Sequence, residues 1–146
     1  MPIQKLKDFL DKHKVRYVSI KHSPVYTTQE TAQAAHIPAK DIAKVVIVKI
    51  DGELAMVVMP GNMRLDMRDL REALDSSVKL ATEDDFQGRF PGCEIGAMPP
   101  FGNLYEMDVY TMGTLPPQIA FNAGTHLELI QLGLKDYLEL VRPIAL

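Results

Sequence analysis

Apolar residues recur along this chain with two different periods. Ile3, Leu6, Phe9 and Leu10 fall three and four apart, which predicts an amphipathic helix over residues 3–13. The following run, Arg16 to Lys21, is short and rich in β-formers and reads as a strand that His22-Ser-Pro24 ends. Thr27-x-x-Glu30 has the form of a capping box and opens a helix through about Ala35, stopped before Pro38. Lys44–Ile50 and Leu54–Met59 flank Asp51-Gly52, a strong short-range hairpin signal. Both runs are nearly continuous in apolar residues, which predicts strands covered on both faces.

The second half alternates in the same way. Asp66 is placed to cap a short helix carrying Met67, Leu70 and Leu74. Val78–Ala81 reads as a strand, and Thr82 followed by three acids opens another helix, because anions favour helix N-termini. Residues 88–102, rich in Gly and Pro, predict a structured loop around a brief strand. Strands are expected at 108–112, 118–121 and 126–132, the last two pairing across Ala123-Gly124-Thr125, and a helix at 134–141 ends before Pro143. There is no internal repeat. Strands outnumber helices and are often hairpin-linked, so the expected class is α+β, with a mixed, mostly antiparallel sheet flanked by helices.

Composition narrows the possibilities further. The 146 residues, 47% of them hydrophobic, suit one globular domain spanning 1–146. A single cysteine, Cys93, excludes an intramolecular disulfide framework and a cysteine metal cage. The apolar stretch Leu54–Pro60 is far shorter than the about 20 residues that cross a bilayer, and the N-terminus lacks a signal-peptide core, so a soluble cytoplasmic protein without membrane contact is expected. The net charge of −3 excludes a general basic coat for nucleic acid. Residues 1–22, however, hold six Lys/Arg against two Asp, a local +4 that reads either as a solvated helix face or as a small phosphate-facing patch.

The familiar catalytic signatures are absent: there is no G-x-S-x-G elbow, no phosphate-cradling P-loop and no H-E-x-x-H. Three places break the local pattern instead. Lys44 heads an otherwise apolar strand, where a lysine can simply snorkel to water. Gly96-Ala-Met-Pro-Pro-Phe-Gly102 combines stiffening prolines with glycines that permit close backbone approach, suiting either a tight turn or bare N–H groups offered to an oxyanion. Gly124 interrupts strand-like sequence in Phe121–His126, as a turn or a bulge beside a site would.

The ordered set of a Thr-x-x-Glu helix, Ala-Lys44 opening a Val-rich strand, Gly96-x-x-x-Pro100 and Ala-Gly124-x-His126 resembles the YbaK / prolyl-tRNA synthetase-associated editing domain, from about residue 3 to 143. The resemblance implies a barrel-like mixed sheet and a freestanding domain that hydrolyses wrong amino acids off tRNA. It implies Lys44 and Gly96 as catalytic residues and Ala97, Met98, Pro99, Pro100, Gly124 and His126 as substrate-binding ones, with no metal and no cofactor. Its implied partners are the aminoacylated acceptor end of tRNA and a prolyl-tRNA synthetase, the chain itself being a monomer or weak dimer. Ala, Cys and Ser esters stay open as substrates, and Met98, Ile47 or Phe121 could wall the pocket or serve the core. A non-catalytic RNA- or nucleotide-binding module, or one that docks on a synthetase, is the competing expectation.

Overall fold

In the computed structural model, which describes residues 2–146, helices and strands follow in the order α1 (Pro2–Lys12), β1 (Tyr17–Lys21), α2 (Thr28–Ala35), β2 (Ala43–Ile50), β3 (Glu53–Pro60), α3 (Met67–Leu74) and β4 (Val78–Leu80). They continue as α4 (Glu83–Phe86), β5 (Asp108–Thr111), β6 (Gln118–Asn122), β7 (Glu128–Gly133), α5 (Leu134–Val141) and β8 (Ile144–Ala145). Single 3₁₀ turns span Ala39–Asp41 and Gly102–Tyr105.

Local chemistry explains most of these boundaries. Asp51 and Gly52 both take positive φ, 49° and 87°, the geometry of a two-residue turn matched to strand twist, and β2 and β3 pair from Ile50–Glu53 to Ala43–Pro60. Thr27 caps α2 by accepting from the Glu30 N–H, Asp66 caps α3 through the N–H groups of Arg68 and Asp69, and Thr82 with Asp85 forms a complete capping box on α4. The brief strand expected within residues 88–102 does not form. That segment runs through successive turns at Gly88, Gly92 and Gly96, all with positive φ, which no extended strand accommodates.

The strands make two sheets. β4-β2-β3-β5-β8 is mixed, antiparallel as far as β3 and parallel beyond it, and β1-β7-β6 is wholly antiparallel. A lone parallel bridge, Ile42 to Ala120, joins them, so the α+β class with a mixed, mostly antiparallel arrangement holds while the two sheets do not close into a full barrel. The main core, with Leu6, Leu10, Ile47, Met56, Val58, Phe101, Phe121, Ile130 and Tyr137, draws on both sheets. Val48, Val57, Met59 and Leu70 form a second cluster between the mixed sheet and α3. β3 therefore feeds both clusters, as its continuous apolar sequence predicts, whereas β2 is buried only in part. Among the described residues no helix is long and apolar enough to cross a membrane.

Candidate active site

The two sheets part on either side of the Ile42–Ala120 bridge. Two residues beyond it on each strand come Lys44 and Asn122, and both line one pocket of about 140 Å³. The start of α2 supplies Tyr26, Thr27, Thr28 and Thr31 to the same space, and the 88–102 loop supplies Gly96 and Met98. Gly61 permits this assembly. A Cβ there would lie 2.5 Å from the Ala39 carbonyl oxygen and 2.5 Å from Thr28 Cγ2, so only glycine lets the end of β3 approach the α2 segment that closely.

Lys44 is half-buried, and no carboxylate pairs with it among the described residues. Burial lowers its pKa from the ordinary lysine value, and the nearby Arg64 charge lowers it further. Opposite it, Asn122 Oδ1 is buried without a hydrogen-bond partner. Buried polar atoms are normally paired, so an unpaired ammonium and an unpaired carbonyl in one small pocket are matched to a polar ligand.

The loop carrying Gly96 is tied down at several points. The Glu94 N–H donates to Gly124 O at 2.8 Å, and the Gly124 N–H donates back to Ala97 O at 2.8 Å. Glu94 Oε2 accepts from the His126 N–H at 2.7 Å, and His126 Nε2 lies 2.7 Å from Ile95 O. A carbonyl can only accept, so Nε2 carries the proton. Tyr137 donates its hydroxyl to Pro100 O at 2.7 Å. Within this frame the N–H groups of Gly96 and Met98 donate to no acceptor among the described residues. Gly96 has a φ of +82°, so a side chain there is strained by more than about 1 kcal/mol even though its Cβ would meet His126 only at 3.7 Å.

The residues singled out from sequence thus divide. Lys44, Gly96 and Met98 line the pocket directly. Ala97, Pro99 and Pro100 are the buried part of the loop, and Gly124 and His126 hold it in place, the His126 ring also packing at a tilt against Tyr26. Ile47 and Phe121 belong to the core, not to the pocket lining. Cys93 is half-buried beside the Tyr105 hydroxyl, and burial pushes its thiol pKa up, away from nucleophilic use. Part of the N-terminal charge is spent internally: Lys5 donates to Leu104 O and lies over the Tyr105 ring, and Lys7 pairs with Glu128. Sequence reasoning read Thr27 only as a cap and did not single out Asn122, Tyr26, Thr28 or Thr31. Asn122 does lie in the Phe121–His126 segment that Gly124 marks, where it ends the apolar run Ile119–Phe121.

Comparison with known proteins bears on the family and the fold. The model of the aminoacyl-tRNA editing domain matches residues 22–140. Over 64 residues the chain is 38% identical to proline--tRNA ligase 1 of Streptomyces avermitilis, and over 70 residues 41% identical to the proline--tRNA ligase of Streptomyces griseus subsp. griseus. These matches take in 43% and 46% of this chain but only 11% and 12% of the ligases, so it spans a small part of their length. Among solved structures, a candidate trans-editing enzyme for prolyl tRNA synthetase superposes with a TM-score of 0.82 at 21% identity, covering 99% of this chain and 94% of that one. A hypothetical protein superposes with a TM-score of 0.84 at 20% identity, covering 97% and 96%. At such identities the superpositions speak for the fold alone.

Proposed function

Because this chain belongs to the aminoacyl-tRNA editing domain family, we propose that it hydrolyses the ester joining a wrongly attached small amino acid to the terminal ribose of a tRNA. The observation that carries this reading is one pocket of about 140 Å³ lined by Lys44, by Asn122, whose Oδ1 is buried without a partner, and by Gly96 and Met98, whose N–H groups donate to no acceptor among the described residues. An aminoacyl ester is already activated, so positioned water and a stabilised oxyanion suffice without a covalent nucleophile.

In this mechanism the ester carbonyl oxygen points at the Gly96 and Met98 N–H groups. Water adds to the carbonyl carbon, and the negative charge that gathers on that oxygen is met by the loop donors. The C–O bond to the ribose then breaks, and the ribose oxygen leaves with a proton. Asn122 Oδ1 accepts from the α-ammonium group, and Lys44 holds the ester end as a compact charge with three donors. The vicinal ribose hydroxyl orients the water, in keeping with the family resemblance. Ile42, Ala43, Val45 and Met98 wall a space suited to a small side chain. Such a sieve answers a physical need, since a synthetase distinguishes a missing methylene by only about 1–3 kcal/mol.

The prolyl ligases among the relatives make tRNA-Pro the first substrate to try, carrying Ala, Cys or Ser. The test is incubation of the purified protein with these mischarged tRNAs, correctly charged Pro-tRNA-Pro and alanyl esters of other tRNAs, following loss of the amino acid. Release from at least one mischarged species, with Pro-tRNA-Pro spared, is the expected result. Release no faster than in buffer across the whole panel would leave a binding module as the better reading.

A further inference from the structure

The Lys44 pocket is too small for everything that the proposed substrate brings. Its volume, about 140 Å³, lies below the about 300–1,000 Å³ of pockets that engulf drug-sized ligands. The amino acid and its ester fit, but the nucleoside to which they are joined must lie outside, against the rim.

That rim carries one large, exposed aromatic side chain. Tyr26 lines the pocket yet is 73% exposed, and its ring centroid lies 5.0 Å from that of His126 at an interplanar angle of 57°. Ile95, 61% exposed, bonds His126 through its carbonyl, and Leu127, 45% exposed, follows His126 in the chain. Of these three exposed apolar residues, Tyr26 is the one that lines the Lys44 pocket.

The support beneath Tyr26 is firm. His126 is held from two sides, its N–H by Glu94 and its ring by Ile95 O, so the ring it offers Tyr26 has a set orientation. Tyr26 itself directly precedes Thr27, whose backbone and side chain are committed to capping α2. One edge of the tyrosine thus meets His126 while most of the ring remains in water. Leaving that much aromatic surface hydrated is unfavourable, and a flat ligand that covers it recovers the loss.

We propose that Tyr26 is the stacking platform for the purine base of the substrate's terminal nucleotide. This rests on the deacylase reading, since it is the aminoacyl end in the Lys44 pocket that brings the base to the rim. Stacking is indifferent to which base is present and equal in ground and transition states, so it acts on binding rather than on chemistry.

The test compares wild type, Tyr26→Ala and Tyr26→Phe in deacylation of the mischarged tRNA found active. Inhibition by adenosine 5′-monophosphate is measured beside inhibition by ribose 5-phosphate, which has no base. Tyr26→Ala is expected to raise KM, and the inhibition constant of the nucleotide, about tenfold. The change enters through KM and not kcat. Tyr26→Phe keeps the ring and should return both constants to within about twofold of wild type. Three results overturn the platform: unchanged KM in Tyr26→Ala, a fall confined to kcat (a prop for His126), or a nucleotide that inhibits wild type no better than ribose 5-phosphate does. In each of these the deacylase reading stands. A wild type that releases no amino acid removes that reading, and the platform with it.

Discussion

The two principal walls of the pocket are built by opposite means. Lys44 is carried by β2, paired opposite Met59 in a ladder running the whole length of the hairpin. Facing it, Gly96 and Met98 sit in a stretch with no regular structure, held by a handful of bonds to Glu94, Gly124 and His126. A ladder spreads the task of positioning over many backbone pairs, so a change at the lysine removes a functional group and little else. A latched loop concentrates the task in a few side chains, so its donors can be misaimed by a substitution that never touches substrate.

The largest effect is expected at the lysine. Lys44→Ala should lower kcat/KM by about 10²–10³-fold, as the loss of one preorganised charge or donor does elsewhere. Its melting temperature should not fall, because burial already disfavours the ammonium and the ladder does not depend on it. Lys44→Arg should fail as well, since a guanidinium is larger and differently directed. An arginine variant with full activity would show that charge alone matters and would favour the binding module over the enzyme.

Breaking the latch should cost somewhat less. Glu94→Ala releases the His126 N–H, and a displacement of about 1 Å at the reacting centre can cost about 10²-fold, so kcat should drop by about 10- to 100-fold. Glu94→Gln retains an oxygen that can accept from the same N–H and should recover most of the activity. Should both variants be equally impaired, the carboxylate would act by its charge rather than by holding the loop, and the contrast between the walls would weaken.

The smallest effect sharpens the comparison instead of breaking it. Burial, then Arg64, lowers the Lys44 pKa. If the ammonium is the working form, enzyme-dependent hydrolysis rises to a plateau and is lost as pH climbs through that lowered value. Arg64→Gln removes a repelling charge, so the Lys44 pKa rises and the alkaline limb should move to higher pH, by less than about one unit. A pH–rate profile corrected for spontaneous hydrolysis reads this directly. Activity that instead rises with pH through that value would assign the neutral amine, not the ammonium, to the reaction.

What was legible in the sequence was whatever depends on near neighbours. Asp51-Gly52 dictates its turn because its two residues accept positive φ, and Thr27, Asp66 and Thr82 dictate helix starts because each reaches an N–H two or three residues ahead. The doubly apolar run of β3 announced a strand buried on both faces, and Lys44 stood out against the apolar residues that follow it. The tertiary structure alone decided the rest. Residues 88–102 are neither periodic nor extended, so their course follows from distant partners such as Gly124, His126 and Tyr137. Two-residue β8 was invisible because it forms only by adding to an edge, that of β5. Asn122 became a site residue only when the Ile42–Ala120 bridge set it across from Lys44, and Gly61 became indispensable only when Thr28 and Ala39 closed on it. Local sequence sets dihedral angles and the faces of helices and strands, whereas pairing across long separations is settled by how all the buried faces pack together at once.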